Sequence, residues 1–302
     1  MKINVDAGHG SNTAGKRTPP MPYDITVSDK TTIKKGEQFR EHIANVGVAN
    51  FLLTELKRCG FETMFTGFND INAFDDSDTP LSDRQVAIAK GNCDYSISIH
   101  FNAYGDGATF NTAEGVGIYI HDKYINQSDK LAQVILKHLA GGTKQVNRGV
   151  TKNALAMCNC NNMDVKGAIL VECAFMTNLK EATEMMASEK FWKECAQEIC
   201  QGICEFTRIK YVSEKSDTYK PAKTITPESS KADVKWLQSR INSVLPDLPG
   251  LTPLVIDGEY GPRTRIAVLI YWEQLGWGKH MNDDGRRAGK ATREALAESK
   301  KV

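Results

Sequence analysis

The chain has 302 residues, of which 41% are apolar and 25% are charged. This length suggests two domains, and the composition excludes a collagenous, low-complexity or mostly disordered chain. A net charge of +1 provides no global field to attract a nucleic acid, so no nucleic-acid partner is expected. The apolar runs are far shorter than the roughly 20 residues that span a bilayer, so no membrane span is expected.

The first 210 residues alternate between strand-like and helix-like patterns. Strands are predicted at 2–6, 61–65, 95–101, 116–121 and 168–171, and helices at 39–58, 81–90, 128–139 and 181–206. The run 168–171 is continuously apolar, which is typical of a buried central strand, and residues 11–36 read as a long surface loop. The pattern predicts an α/β domain with a twisted, mostly parallel sheet flanked by helices.

A change of composition separates this domain from the rest of the chain. Residues 211–230 lack an apolar period and contain two prolines, which indicates a linker. Residues 231–302 are long enough to fold alone around a compact helical core. We therefore expect a first domain at 1–210, a linker at 211–230 and a small all-α domain at 231–302.

Eight cysteines are too few for a disulfide framework in a chain of this length. Cys195, Cys200 and Cys204 fall in one predicted helix, where they read as small buried hydrophobes. Cys158 and Cys160 have the spacing of half a metal site, but no second half with matching spacing is present. The cysteines therefore predict no metal site.

Three potential metal ligands lie where predicted elements begin or end. His9 follows the first strand, His100 ends the strand at 95–99, and Glu41 is at the start of the first helix. In α/β sheets, ligands collect outside the carboxyl ends of strands. Two imidazoles and one carboxylate make a zinc site that leaves a position open for water. The alternatives are hydrogen-bonded structural histidines and a solvated glutamate.

Glu172 is a fourth candidate. It follows the apolar run 168–171, and a buried carboxylate costs free energy unless it is paired or functional. Glu172 is therefore either a general base beside a metal site or a structural residue bonded to the backbone or to Arg148. Asp6 and Asn102 adjoin the histidines in sequence, and we interpret them as turn or strand hydrogen-bonding residues.

Several motifs resemble those of the zinc-dependent N-acetylmuramoyl-L-alanine amidases, the amidase type 3 group of autolysins and phage endolysins. They run in the family's order from residue 2 to about 208, and comprise residues 6–10 (DAGHG), 40–41 (RE) with Asn45, 81–84 (LSDR), 98–103 (SIHFNA), 148–150 (RGV) and 171–178 (VECAFMTN). Four of these blocks, at 6–10, 40–45, 98–103 and 171–178, carry the resemblance, and their order makes it specific; 81–84 and 148–150 also fit the order of the family.

The resemblance implies that His9, Glu41 and His100 bind Zn²⁺ and that Glu172 is the catalytic glutamate. It implies hydrolysis of the amide between N-acetylmuramic acid and L-alanine in peptidoglycan, which would be the partner of this chain. A zinc peptidase or deacetylase acting on wall material and a non-catalytic wall-binding protein are the alternatives. The amino-terminal residues lack a long apolar segment, so we expect synthesis in the cytoplasm and release to the cell wall through holin pores or lysis.

The C-terminal region resembles a small three-helix peptidoglycan-binding domain over residues 231–298. The resemblance rests on Leu237-Gln238 and on residues 257–264 (DGEYGPRT), which are loosely repeated at 284–293. Residues 222–302 hold 13 Lys and Arg against 10 Asp and Glu, which suits an anionic wall. Trp236, Trp272 and Trp277 are interpreted as core residues, with a sugar-stacking surface as the alternative.

Overall fold

The structure is a computed structural model that describes residues 1–27, 31–68, 76–213, 220–244, 254–277 and 284–297. Contacts divide the chain into two compact units, Met1–Glu214 and Lys215–Val302. Among the described residues, no helix is both long enough and apolar enough to cross a membrane.

A six-stranded sheet forms the centre of the first unit. Its strands are β1 (Lys2–Ala7), β4 (Glu62–Thr66), β5 (Tyr95–Asn102), β6 (Val116–Ile120), β7 (Asn147–Lys152) and β8 (Gly167–Phe175), with the short strands β2 (Ile25–Val27) and β3 (Thr31–Ile33) forming a separate hairpin. The order across the sheet is β4-β1-β5-β8-β6-β7, and every pair is parallel except β6 with β8. The predicted mostly parallel α/β fold is confirmed.

Helices cover both faces of this sheet. The unit contains α1 (Glu41–Arg58), α2 (Leu81–Lys90), α3 (Ser128–Thr143), the short α4 (Cys160–Met163) and α5 (Leu179–Glu181), and α6 (Glu189–Thr207). Helices α1, α3 and α6 pack together and bury the larger core, whereas α2 and α4 bury a smaller one around Ile88 and Met163. Both faces of the central strands are therefore covered. One face of β1 and β5 is apolar, whereas the other carries buried polar side chains that hydrogen-bond across the strands, as Asn4 does with Ser96 and Asp6 with Ser98.

Three local features differ from the sequence prediction. Residues 11–36, predicted to be a surface loop, contain β2 and β3 and bury Met21 and Val27 in the core. Strand β7 was not predicted because its sequence, NRGVTK, is polar and partly exposed; its position at the sheet edge makes it a strand. The predicted helix at 181–206 is interrupted, since a short π-helix at Ala182–Met186 ends before Ser188. The Ser188 side chain accepts a hydrogen bond from the Phe191 amide and starts α6.

The second unit contains three helices in its described part, which are α7 (Lys231–Val244), α8 (Pro262–Gln274) and α9 (Lys290–Ala297). Gln238 on α7 is buried; its side chain donates to Asp257 Oδ1 at 2.8 Å and accepts from the Gly258 amide at 2.9 Å. The Gln side chain thus holds the turn that precedes α8. The predicted small all-α domain is confirmed as a fold.

The tryptophans of this unit lie in or against its core. Trp236 and Trp272 are buried, and the Trp272 indole donates to Thr292 Oγ1 at 2.9 Å. Trp277 is half-buried and packs against the same core. Packing therefore explains these residues, and a sugar-stacking surface made from the three rings is excluded.

Residues at both ends of the predicted linker pack onto the two units. The Tyr211 hydroxyl donates to Glu55 Oε2 at 2.9 Å in the first unit. Ile225 is fully buried in the second unit, where its backbone pairs with Ala288. The sequence between Tyr211 and Ile225 is polar and does not predict these contacts. Residues 214–219 lie outside the described part of the chain.

Candidate metal centre

Three neighbouring strands bring the candidate residues to one edge of the sheet. His9 follows β1, His100 lies near the end of β5, and Glu172 lies in β8, which pairs with β5. His100 and Glu172 are direct partners in the parallel β5–β8 ladder, so their side chains project from the same face. Glu41 is the first residue of α1. The structure thus gathers all four residues at the carboxyl edge of the sheet.

His9, Glu41 and His100 form a compact cluster of potential ligands. One ligand atom from each lies within 4.8 Å of the others. His9 Nε2 is 3.3 Å from Glu41 Oε2, and His100 Nδ1 is 3.1 Å from Glu41 Oε1. The carboxylate is 2% exposed, and the two imidazoles are 17% and 12% exposed. A buried carboxylate thus lies between two imidazoles that remain accessible.

The turn that carries His9 is held by a buried arginine. His9 has a left-handed φ of 63°, which is costly for a residue with a side chain. Arg84, which is 1% exposed, donates to the Ala7 carbonyl at 2.7 Å and to the His9 carbonyl at 2.9 Å. Its charge is balanced by Asp6 at 3.0 Å and Asp78 at 2.7 Å. The sequence predicted only that Arg84 fits the order of motifs in the family. The structure shows that its side chain holds the backbone around His9.

Two further residues of α1 support the cluster. Asn45 Nδ2 donates to the Gly8 carbonyl at 3.0 Å and to Glu41 Oε1 at 3.2 Å. His42 Nδ1 donates to the same carbonyl at 3.1 Å. His42 was not predicted to be part of the site. Its position next to Glu41 in the sequence does not distinguish a histidine that supports the backbone from one that binds a metal. Glu41 and Asn45 are four residues apart, and this spacing indicates that the two side chains share one face of α1.

The electrostatics of the cluster hold two of its three residues, His9 and Glu41, in the protonation states that bind a metal. Burial lowers the pKa of His9 to about 4, so this imidazole is neutral at pH 7. Burial raises the pKa of Glu41, but the hydrogen bond from His100 and the charge of His9 outweigh it and hold the pKa below its usual value. Burial lowers the pKa of His100, but the hydrogen bond and charge of Glu41 outweigh that effect, so the pKa is raised and a cation would have to displace the imidazole proton. A neutral imidazole and an ionised carboxylate are the forms that bind a cation, and His9 and Glu41 already have these forms.

Glu172 is half-buried, and one of its carboxylate oxygens has no partner. Its Oε2 is inaccessible and has no hydrogen bond among the described residues. Burial raises the pKa of Glu172 to about 8; His100 and Lys16 lower it, and Glu41 raises it. The Arg148 guanidinium lies over the Phe175 ring at 5.0 Å and donates to the Glu114 carbonyl. The structural alternative, in which Glu172 is hydrogen-bonded to Arg148, is therefore not found.

The two residues interpreted as hydrogen-bonding residues have that role. Asp6 accepts from Ser98 Oγ at 2.6 Å and from Thr66 Oγ1 at 2.9 Å, in addition to Arg84. Asn102 Oδ1 accepts from the Ala103 amide at 2.8 Å. Neither contacts the imidazoles of the cluster in the contacts that the structure records, so both shape the backbone around the site.

A cavity of about 180 Å³ lies beside Glu172. Gly117, the partner of Glu172 across the antiparallel β6–β8 ladder, forms part of its wall. The remaining walls come from the ends of β5 to β8 and include Tyr104, Tyr119 and Arg148. A short polar groove thus leads to the strand neighbours of Glu172.

The sheet edge therefore combines accessible imidazoles, a buried carboxylate and an unpaired acid beside a groove. Two His and one Glu with an open side are typical of metal-dependent hydrolases.

The sequence also identifies the family. Residues 3–205 match the family profile described as N-acetylmuramoyl-L-alanine amidase. This match covers more than half of the chain, and the chain belongs to that family. The predicted activity, hydrolysis of the amide between N-acetylmuramic acid and L-alanine in peptidoglycan, is confirmed at this level. No curated protein sequence is similar enough to this chain to count as a relative.

Solved structures agree with this assignment. The N-acetylmuramoyl-L-alanine amidase from Clostridium difficile 630 superposes with a TM-score of 0.54 at 25% identity, covering 70% of this chain and 98% of that chain. The catalytic domain of CwlV, an amidase from Bacillus (Paenibacillus) polymyxa var. colistinus, gives 0.52 at 23% identity, with 70% and 99% covered. AmiC2 of Nostoc punctiforme gives 0.52 at 20% identity, with 69% and 97% covered. The last two matches support the fold.

Proposed function

We propose that this amidase uses Zn²⁺ held by His9, Glu41 and His100. The observation that carries the proposal is the convergence of one ligand atom from each within 4.8 Å. The donor set suits Zn²⁺, which takes imidazole nitrogen and carboxylate oxygen and in catalytic sites keeps a position open. Bound there, the ion would act as a Lewis acid on the scissile carbonyl.

Glu172 moves the proton in this proposal. Its buried Oε2 without a partner is available to accept a hydrogen bond from an attacking water. With a pKa of about 8 the group is mostly protonated at pH 7 in metal-free protein. The charge of a bound cation would favour the carboxylate, which would accept the water proton and then donate it to the leaving amine of L-alanine. Its place beside His100 in the sheet keeps the acid next to the proposed ligands.

The groove beside Glu172 binds the substrate in this proposal. Arg148 presents an exposed guanidinium at its wall, steadied by the Phe175 ring. Peptidoglycan stem peptides carry carboxylates, which guanidinium groups bind well. The aromatic walls Tyr104 and Tyr119 provide apolar contact for sugar or peptide.

The second unit binds cell walls and contributes no chemistry. Among its described residues no cluster of potential metal ligands is present. A groove with a volume of about 520 Å³ is lined by three arginines, Arg265, Arg286 and Arg287, together with Tyr260. Arg265 and Arg286 share Asp284 as a partner, and Arg287 is exposed. Glu228 also lines the groove, and the three arginines outnumber it. A groove with an excess of arginine suits the carboxylates and phosphates of a bacterial wall.

A digest of purified peptidoglycan tests the function and its metal dependence together. The untreated protein should release stem peptides with a free L-alanine amine and leave glycan strands with free muramoyl carboxylates. Treatment with a chelator should stop the release, and added Zn²⁺ should restore it. New ends within the stem peptide or free glucosamine amines would contradict the amidase activity. Undiminished digestion by protein shown to contain no metal would contradict the zinc site.

A further inference from the structure

A second cluster of potential metal ligands lies away from the candidate active site. Among the described residues, only two groups of His, Cys, Asp or Glu place three ligand atoms within 4.8 Å of one another. One is the His9 cluster, and the other consists of Cys59, Cys200 and Cys204. The sequence pattern predicts packing roles for Cys200 and Cys204, and Cys59 is 141 residues away from Cys200 along the chain.

Two helix ends bring the three thiols together. Cys200 and Cys204 are four residues apart on α6, so they share one face of that helix. Cys59 caps the carboxyl end of α1, which packs against α6. The three residues are 7%, 0% and 2% exposed, and all are free thiols. The site is therefore enclosed by protein and reached by small ions rather than by large reagents.

The sulfur spacing is compatible with three ligands on one metal ion. Cys59 Sγ and Cys200 Sγ are 3.8 Å apart, and no pair in the cluster exceeds 4.8 Å. A metal with bonds to sulfur of about 2.3 Å separates its thiolates by about 3.8 to 4.0 Å, depending on tetrahedral or trigonal geometry. A disulfide requires about 2.05 Å. Small side-chain movements therefore suffice for a metal.

A backbone amide already points at the cluster. The Val212 amide donates to Cys59 Sγ at 3.3 Å. Arg58 Nε in turn donates to the Val212 carbonyl at 2.9 Å, and the adjacent Tyr211 is bonded to Glu55. Donors of this kind stabilise charge on a ligating sulfur. The chain segment that leaves the first unit is thus fastened over the three thiols.

We propose that Cys59, Cys200 and Cys204 bind a soft d¹⁰ metal ion, with Zn²⁺ as the physiological example and Cd²⁺ as a probe. Thiolates select such ions. The three thiols release their protons to solvent, and three metal–sulfur bonds form, so the step needs no oxidant. The divalent ion and the three thiolates together have a net charge of −1. The ion would join the ends of α1 and α6 beneath Val212 and would act as a structural clip, separate from the catalytic chemistry.

The test uses the full chain carrying His9→Ala and His100→Ala, so that the candidate active site does not contribute. Under reducing conditions, Cd²⁺ should produce sulfur-to-metal charge-transfer absorption that saturates at one ion per chain, and the thermal midpoint should rise. Cys59→Ala, Cys200→Ala and Cys204→Ala should each weaken binding by roughly tenfold or more. Cys93→Ala is the matched control, because Cys93 is equally buried but lies outside the cluster and packs against Met64; it should bind Cd²⁺ normally.

Folding failure of the cysteine variants does not remove the test. X-ray absorption at the metal edge of the loaded chain with its cysteines intact should count three sulfur neighbours. The absence of charge-transfer absorption, or a first coordination sphere without sulfur, would overturn the proposal. A disulfide between two of the three cysteines, found by peptide mapping of freshly purified protein, would overturn it as well.

Discussion

Gly8 lies against the imidazole of His100, so closely that a Cβ on Gly8 would be 2.1 Å from His100 Cε1. The Gly8 carbonyl is fixed by Asn45 and His42, and its amide donates to the Ile99 carbonyl at 3.0 Å. Neither the backbone nor the ring can move without disturbing the cluster. The glycine of the DAGHG motif is therefore required by a close approach between β1 and β5.

We predict that Gly8→Ala displaces His100 and lowers zinc content and amidase activity together, by about the tenfold to hundredfold typical of disturbed metal positioning. Metal analysis and peptidoglycan digestion measure both effects. Gly141→Ala on α3 is the matched control, because its Cβ would meet nothing within 4 Å, and it should leave both unchanged. Normal zinc content in Gly8→Ala would show that the ring has room to move.

Each proposed ligand is expected to be necessary for the metal. His9→Ala, Glu41→Ala and His100→Ala each remove one of three protein donors, so each should lose active-site zinc and activity. The control is His138→Ala, since His138 is bonded to Glu205 between α3 and α6 and should retain both. Zinc is best counted in a background that lacks the cysteine cluster. Full occupancy in all three variants would remove the assignment.

Removal of the proposed base should separate metal binding from turnover. Glu172→Ala should keep its fold and its zinc, and should lose turnover by roughly 10²–10⁴-fold, the usual contribution of a general acid–base group. Glu184→Ala, which changes an exposed glutamate beyond β8, should digest peptidoglycan at the normal rate. Comparable rates for the two variants would make Glu172 a structural residue.

Glu172 should also cost stability at high pH in metal-free protein. Because burial raises the pKa of Glu172 from 4.5 to about 8, the folded state binds more protons than the unfolded state between these values. Stability therefore falls as pH rises through that window. Glu172→Gln should raise the thermal midpoint of the metal-free protein at pH 8 to 9, and the gain should disappear below about pH 4.5.

Glu181 provides the contrast for this measurement. It is buried and also has a raised pKa, but its oxygens accept from the Phe175 and Gly115 amides and from Gln145. Both carboxylate oxygens of Glu181 accept hydrogen bonds, so Glu181→Gln leaves a buried donor unpaired. The variant should lose about 1–3 kcal/mol of stability, and its thermal midpoint should fall. A Glu172→Gln variant that behaves like Glu181→Gln would indicate unrecognised partners.

The second unit should add wall affinity without affecting hydrolysis. A chain ending at Ser213 keeps Tyr211 and Val212, so it should fold, retain zinc and cleave soluble muropeptides normally. Its binding to insoluble walls should weaken, because attachment raises the local concentration of the first unit. A chain ending at Lys210 loses the Tyr211–Glu55 bond and should unfold at a lower temperature. Equal wall binding by the Ser213 truncation and the full chain would contradict this role.

Much of the fold followed from local pattern. The apolar run of β8, the alternation of β5 and the helical spacing of α1 are strong signals, because each buries apolar side chains at the period of its own backbone. Strand β7 lacked that signal, since an exposed edge strand is stabilised by pairing with β6 and not by its own side chains. The end of the predicted linker was likewise hidden, because Tyr211 reveals its role only through contact with Glu55.

The candidate site divides in the same way. The sequence alone placed His9, Glu41 and His100 at the ends of predicted elements and Glu172 directly after an apolar run, and the resemblance of its motifs to those of a known family implied an amidase. Tertiary structure decided which groups meet. The order β1-β5-β8 places His100 beside Glu172, Arg84 crosses from α2 to hold the His9 turn, and Cys59 joins two cysteines of α6. Strand order and helix packing determine these contacts, because they depend on long-range burial that no local window of sequence contains.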